Sequence, residues 1–302
     1  MAPRFLALVL AVPAFLLAQK DLGRITPAGQ PFRVVALGDF GDGSRTQIEL
    51  ARAMARRHAE SPFDLGLTLG DNFYQCGVRS VDDPKWKARW EDLYTPLGIL
   101  FYATLGNHDY GHPSVLCPGV TASPRAEIER SEHSKSWRMP ARYYTFAAGA
   151  ARFFAIDTED WTAAQLEWLT EQLAAHANEP GVRWRIVYGH HPLSTSGEHH
   201  GERRIGQLQR ELLPVLKQAN VDVYLTGHDH DIEHLRVDGI DLVVCGGGGA
   251  HLRSLARRVP QSVFAAATHG FAELAFDEHE LSLRLLDVHL KTLENPPLRR
   301  TR

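Results

Sequence analysis

The chain has 302 residues, 44% of them hydrophobic and 23% charged, which is enough for one large domain with a substantial core. A formal charge of -3, with no acidic or basic block, argues against a general nucleic-acid binder and against a charged interaction tail. Three cysteines rule out a disulfide scaffold, while 16 histidines exceed what solvation needs, although any single histidine is ordinarily a surface or satisfied core residue.

Residues 1–18 stand apart from the rest. Arg4 is the only charge before an apolar run broken by Pro13, and Leu16-Leu17-Ala18 ends on a small residue suited to signal-peptidase cleavage. The run is shorter than the roughly 20 apolar residues of a membrane span. No cysteine follows it to carry a lipid, so the segment predicts a secretory signal cut near Ala18, and a secreted or periplasmic protein free of the membrane. A membrane anchor is the alternative.

After a lead at 26–31, the run 33–37 predicts a strand that delivers Asp39, and Ile48, Leu50, Ala51 and Met54 predict a helix over 46–58. The run 63–69 predicts a second strand ending at Asp71 and Tyr74, with a helix at 85–93 carrying Trp86 and Trp90. A third strand, 99–105, ends at Asn107-His108-Asp109. Residues 110–142 show no clear period and read as a lid over a site or as a surface insertion. A hairpin about Ala148-Gly149 follows, then a helix from Ala163 to about Ala177 capped by Thr162, with Leu166, Leu169 and Leu173 as its apolar stripe. The strand 184–188 ends at His190, a helix spans about 205–219, and the strand 221–225 ends at His228-Asp229-His230. From His234 onward, short runs at 235–237, 240–244, 271–276 and 281–288 predict a second sheet. The expected fold is α/β: two packed mixed β-sheets flanked by helices in a single domain over 32–290, with 291–302 a frayed tail.

Cys76 and Cys117 lie in loops leaving neighbouring strand ends, where a bridge in an oxidising compartment is one of two open outcomes; Cys245 reads as a small buried hydrophobe. The glycines at 246–249 either let backbone approach the site or form a flexible loop.

Five apolar runs thus end in Asp39, Asp71 with Tyr74, Asn107, His190, and His228 with His230. Open α/β sheets bind their ligands at such strand ends. Seven oxygen and nitrogen donors are too many for one ion, and suit two metals that share a carboxylate and act on an in-line displacement at phosphorus.

The motifs Gly38-Asp39-Phe40-Gly41, Gly70-Asp71-Asn72-Phe73-Tyr74, Gly106-Asn107-His108-Asp109, Val187-Tyr188-Gly189-His190 and Gly227-His228-Asp229-His230 resemble those of the purple acid phosphatases, a branch of the calcineurin-like metallophosphoesterases. The length is similar to that of the small, tartrate-resistant type, and the implied fold is the metallophosphoesterase β-sandwich. Most of the wider superfamily carries Asp-x-His in the first motif; here Gly41 stands in place of that histidine and Tyr74 supplies the missing ligand.

The resemblance implies an acid phosphatase that hydrolyses phosphate monoesters by attack of metal-bound hydroxide. It places Fe(III) on Asp39, Asp71, Tyr74 and His230, and a divalent metal (Fe, Zn or Mn) on Asp71, Asn107, His190 and His228. A phenol binds well only as phenolate, which a trivalent ion favours. His108 would bind phosphate or protonate the leaving oxygen, with Asp109 either orienting its ring or capping the loop. His199 matches a second active-site histidine, with His200 as the alternative register, and Arg203 and Arg204 are phosphate contacts or the surface start of a helix. Small phosphorylated substrates, no nucleic-acid partner and a monomer are expected. A phosphodiesterase or nucleotidase using two divalent ions is the alternative, and a binding protein without catalysis is the contrasting class.

Overall fold

The structure, a computed structural model, describes residues 19–111, 117, 122–294 and 297–301. The proposed signal at 1–18 lies outside the described residues.

Among the described residues, fifteen strands form two sheets. In chain order they are β1 (Gln19–Arg24), β2 (Phe32–Leu37), β3 (Leu65–Leu69), β4 (Phe101–Thr104), β5 (Trp137–Arg138), β6 (Tyr143–Ala148), β7 (Ala151–Ala155), β8 (Trp184–Tyr188), β9 (Val223–Thr226), β10 (Ile232–Val237), β11 (Ile240–Cys245), β12 (Ser262–Ala266), β13 (Gly270–Phe276), β14 (Glu280–Asp287) and β15 (Leu298–Thr301). One sheet runs β1-β6-β7-β8-β9-β11-β10-β12 and the other β15-β14-β13-β2-β3-β4-β5. In the second sheet β2, β3 and β4 are parallel, with Val34 opposite Leu65 and Gly66 opposite Phe101; in the first, β8 and β9 are parallel. All five site-bearing strands therefore deliver their C-terminal ends to one edge of the sandwich.

The sandwich and its flanking helices match the expected fold class. Its late strands do not. They do not make a sheet of their own: β11 pairs with β9, whereas β13 pairs with β2 in the opposite sheet. Phe271, Ala272 and Leu274 are all fully buried, so both faces of β13 are covered and it sits inside a sheet. Residues 122–142 also differ from a surface insertion, because they contain a helix (Pro124–Arg130) and β5 and bury Trp137 among Trp86 and Trp90. A seven-residue helix is too short to show a period. The tail expected to fray instead forms β15 on β14, and Arg300 pairs with Asp241.

Residues from both sheets, including Val34, Leu67, Phe146, Phe153, Leu225 and Leu274, fill the space between them. A second cluster packs Leu169 and Leu173 of the helix Ala163–Ala175, and Leu208, Leu212 and Leu216 of the helix Arg203–Gln218, against Phe154, Val187 and Tyr224. Thr162 caps the first of these helices by accepting from the Gln165 N–H, as its sequence predicts. Cys76 and Cys117 form a disulfide, and Cys245 is a buried free thiol.

Beneath the second sheet, Trp90 lies fully buried with its ring centroid 4.8 to 5.0 Å from those of Tyr94, Phe101 and Trp137. Truncation there leaves a cavity that rigid aromatic neighbours cannot close. Trp90→Ala is expected to lower the unfolding free energy by about 3–5 kcal/mol, read from a urea titration.

Candidate metal centre

Backbone conformation sets the site before any side chain does. Asp39, Asp71 and His228 follow their strands with φ of 57°, 52° and 72°, in the left-handed region that non-glycine residues avoid. Such strain costs roughly 1–3 kcal/mol per residue and clusters at functional sites. Here it turns three ligand-type side chains back over the sheet edge. Gly227 lets His228 follow so closely, since a Cβ at Gly227 would stand 2.2 Å from Asp39 Oδ2. The run 246–249 packs as ordered backbone: Gly248 N–H donates to Gly38 O and Ala250 N–H to Asp39 O, at 3.1 and 2.9 Å.

All seven ligand-type residues named from sequence come together, in two groups. In the first, Tyr74 Oη stands 3.0 Å from each of Asp39 Oδ1, Asp71 Oδ2 and His230 Nε2. His230 Nδ1 lies 2.6 Å from the His251 carbonyl, which can only accept, so Nδ1 carries a proton and Nε2 is bare in the neutral ring. One phenolic proton faces three acceptors. Burial holds the Tyr74 phenol well above its usual range, and the Asp39 and Asp71 carboxylates push it further.

In the second group, the Leu69 carbonyl takes the Nδ1 proton of His190 at 2.9 Å, which leaves Nε2 bare in the neutral ring; burial opposes a second proton, while the Asp71 and Asp39 carboxylates favour it and raise the pKa. Glu202 Oε2 takes the Nε2 proton of His228 at 2.7 Å, leaving Nδ1 bare. These two nitrogens stand 3.2 Å apart, each 3.1 Å from Asn107 Oδ1. With both rings neutral, three acceptors meet with no donor between them. Burial, then the neighbouring histidines, hold His228 well below its usual pKa, so its lone pair stays available. The donor sets fit two cations: every histidine turns its outer N–H to a carbonyl or carboxylate and its lone pair inward, the arrangement of metal-ligating imidazole. Asp71 faces both groups, because its Oδ1 lies 3.5 Å from His190 Nε2.

His108 lies at the mouth, 3.9 Å from Asp71. Its Nδ1 meets the Gln75 carbonyl at 2.6 Å, which fixes a proton there and turns Nε2 toward Asp71 Oδ2. The ring-orienting task expected of Asp109 therefore falls to Gln75. Asp109 is fully buried and accepts from the N–H groups of Asn72, Phe73 and Gly106, tying the second and third motifs together. Burial, helped by Asp71, pushes its pKa up to about 7. His199 lines the site with its ring 4.2 Å from that of His228, whereas His200 is exposed. His199 is held by Asp229 at Nδ1 (2.8 Å) and by Arg253 at Nε2 (2.7 Å). Arg203 and Arg204 begin a helix, as the surface reading expects, and also line a cavity of about 1060 Å³ beside Asn107 and His228.

Sequence reasoning missed Gln75, His191, Glu202 and Arg253. Only His191 left a signal, as the second half of a His-His pair; its ring lies 4.3 Å from His228, and it brings a ligand atom within 4.8 Å of Glu202 and His228.

Position 41 explains the departure from Asp-x-His. A Cβ on Gly41 would fall 1.6 Å from the carbonyl oxygen of Asn72, and Tyr74 N–H donates to Gly41 O at 2.9 Å. The loop bearing the phenol occupies the space a histidine would need.

Residues 32–231 match the model of the calcineurin-like phosphoesterases. The chain belongs to that family. Mouse tartrate-resistant acid phosphatase type 5 is 31% identical over 252 residues, covering 72% of each chain. Purple acid phosphatase 4 of Arabidopsis thaliana is 28% identical over 84% of this chain and 79% of its own. Among solved structures, GAP50, the anchor in the inner membrane complex of Plasmodium, shares the fold with a TM-score of 0.75 at 22% identity, covering 90% of this chain and 88% of its own. Within the calcineurin-like phosphoesterases the chain is one of the purple acid phosphatases, a group of phosphatases dependent on two metals.

Among the described residues, Glu202 is the one carboxylate on the outer nitrogen of His228. Glu202→Ala is expected to weaken retention of a divalent ion by about 10- to 100-fold, measured by competition with a chelator, with Glu202→Gln between it and the parent.

Proposed function

We propose that this phosphatase is an exported enzyme that hydrolyses phosphate monoesters at mildly acidic pH, using Fe(III) paired with divalent iron, zinc or manganese. The observation that carries this reading is the phenol of Tyr74 facing two carboxylates and a bare imidazole nitrogen, because only a cation of high charge would hold it there as phenolate. Asp39, Asp71, Tyr74 and His230 would hold the ferric ion, and Asp71, Asn107, His190 and His228 the divalent one. The bound pair supplies positive charge to the phosphoryl group and acidifies water in the site.

The chain's own residues do the rest. Asp71 Oδ1 accepts from the His108 N–H at 2.8 Å, which fixes the shared carboxylate against the third strand end. His108 presents Nε2 to the mouth and, in its imidazolium form, delivers the Nε2 proton to the departing oxygen there, while the Gln75 carbonyl keeps the Nδ1 proton. The Cys76–Cys117 disulfide supports export, since such bonds persist in oxidising compartments. Among the described residues, no helix is long and apolar enough to cross a membrane.

The purified protein is expected to carry about two metals per chain and a visible absorption band that vanishes in Tyr74→Phe. A colourless protein holding two divalent ions would sink the ferric assignment and favour the phosphodiesterase reading. Asn107→Ala is expected to lower kcat against a phenyl monoester by more than about 100-fold, following loss of a ligand to the divalent ion; a protein with no turnover to lose would be the non-catalytic alternative. Sequencing the N-terminus of exported protein is expected to find a start near Gln19.

A further inference from the structure

A cavity of about 720 Å³ opens above Tyr74, His108 and His230, and Arg253 forms part of its wall. The segment carrying Arg253 is pinned at several points. The Arg253 N–H donates to His230 O at 3.3 Å, and Glu198 Oε1 accepts from both the backbone N–H and the hydroxyl of Ser254, at 3.3 and 2.9 Å. Arg257 N–H donates to Ser196 O at 3.1 Å. The guanidinium is thus carried on fixed backbone.

Its pairing is unusual. Among the described residues its one side-chain hydrogen bond is from Nη1 to His199 Nε2 at 2.7 Å, and no carboxylate makes a direct ion pair with it, although Glu198 and Glu202 lie near enough to feel its charge. His199 in turn gives its Nδ1 proton to Asp229 Oδ1 at 2.8 Å. The imidazole therefore acts as a neutral acceptor that aims the guanidinium, and its Nε2 is not free to offer a proton to the cavity. A part-buried guanidinium ordinarily meets a carboxylate or phosphate, to which its planar fork donates two parallel hydrogen bonds. Here that place is open, beside a group of donors built for a phosphoryl site.

We propose that Arg253 is a specificity-determining residue that pairs with an anionic group, a second phosphate or a carboxylate, on the leaving portion of the substrate. The inference rests on the acid-phosphatase reading and deepens it by naming a substrate class. Arg253 stands one imidazole further out than His228, with the His199 ring between them at 4.2 Å from His228. The phosphoryl group undergoing cleavage belongs over the inner acceptors, so the group that meets Arg253 is the next anion along the substrate.

The test compares phenyl phosphate, whose leaving group is otherwise uncharged, with pyrophosphate, on metal-loaded parent, Arg253→Ala and Arg253→Lys. Arg253→Ala is expected to lose about 10- to 100-fold more in kcat/KM on pyrophosphate than on phenyl phosphate, the difference lying mainly in KM; Arg253→Lys recovers part of that difference. The ratio of the two substrates is measured on one preparation, so a partly folded variant cannot mimic the result. An unchanged ratio, whether both rates fall together or neither falls, overturns the proposal. A parent protein inert to both substrates refutes the acid-phosphatase reading itself, and this proposal with it.

Discussion

Lone pairs that point at one another repel, and the centre of this protein is built from them. With the imidazoles neutral, His190 Nε2, His228 Nδ1 and Asn107 Oδ1 meet within 3.2 Å with no donor between them, and one phenolic proton is shared among three further acceptors. Such a cluster survives in a fold only if the surrounding chain leaves its members no better arrangement. Much of the architecture serves that end. Parallel strands bring their C-terminal ends to one edge, left-handed backbone at Asp39, Asp71 and His228 folds the side chains inward, and each outer imidazole nitrogen is tied to a carbonyl or carboxylate. The repulsion is then offset when cations occupy the centre.

The same logic orders the less obvious residues. Asp109 looks catalytic by its position beside His108, yet its carboxylate is spent on backbone N–H groups that lock two motif loops together. Behind it Glu127 is fully buried, and burial, with Asp109 adding, holds its carboxyl well above the usual range. Its neutral form is the one a site already dense in negative charge can accommodate.

Most of the centre was legible because apolar runs of strand length ended directly in Asp, Asn and His, and the chain places such ends at one edge. What stayed hidden depended on contacts remote in sequence. Nothing local tells β11 to pair with β9 and β13 with β2, since each is a short apolar run that satisfies either sheet. Gln75 acts through its carbonyl, which every residue type possesses, so its sequence identity carries no signal. Glu202 and Arg253 reach the centre through loops whose course depends on Asp229, Ser254 and the helix Arg203–Gln218.

Position 41 and position 74 belong to one decision. The Asn72 carbonyl fills the space beside Gly41, and the Gly41 carbonyl in turn holds the N–H of Tyr74. An ancestor or descendant with histidine at 41 could not share this loop path, so passing between the two ligand solutions requires the loop and both residues to change together. The choice of a phenol rather than an imidazole at this corner of the site is thus held by packing as much as by chemistry.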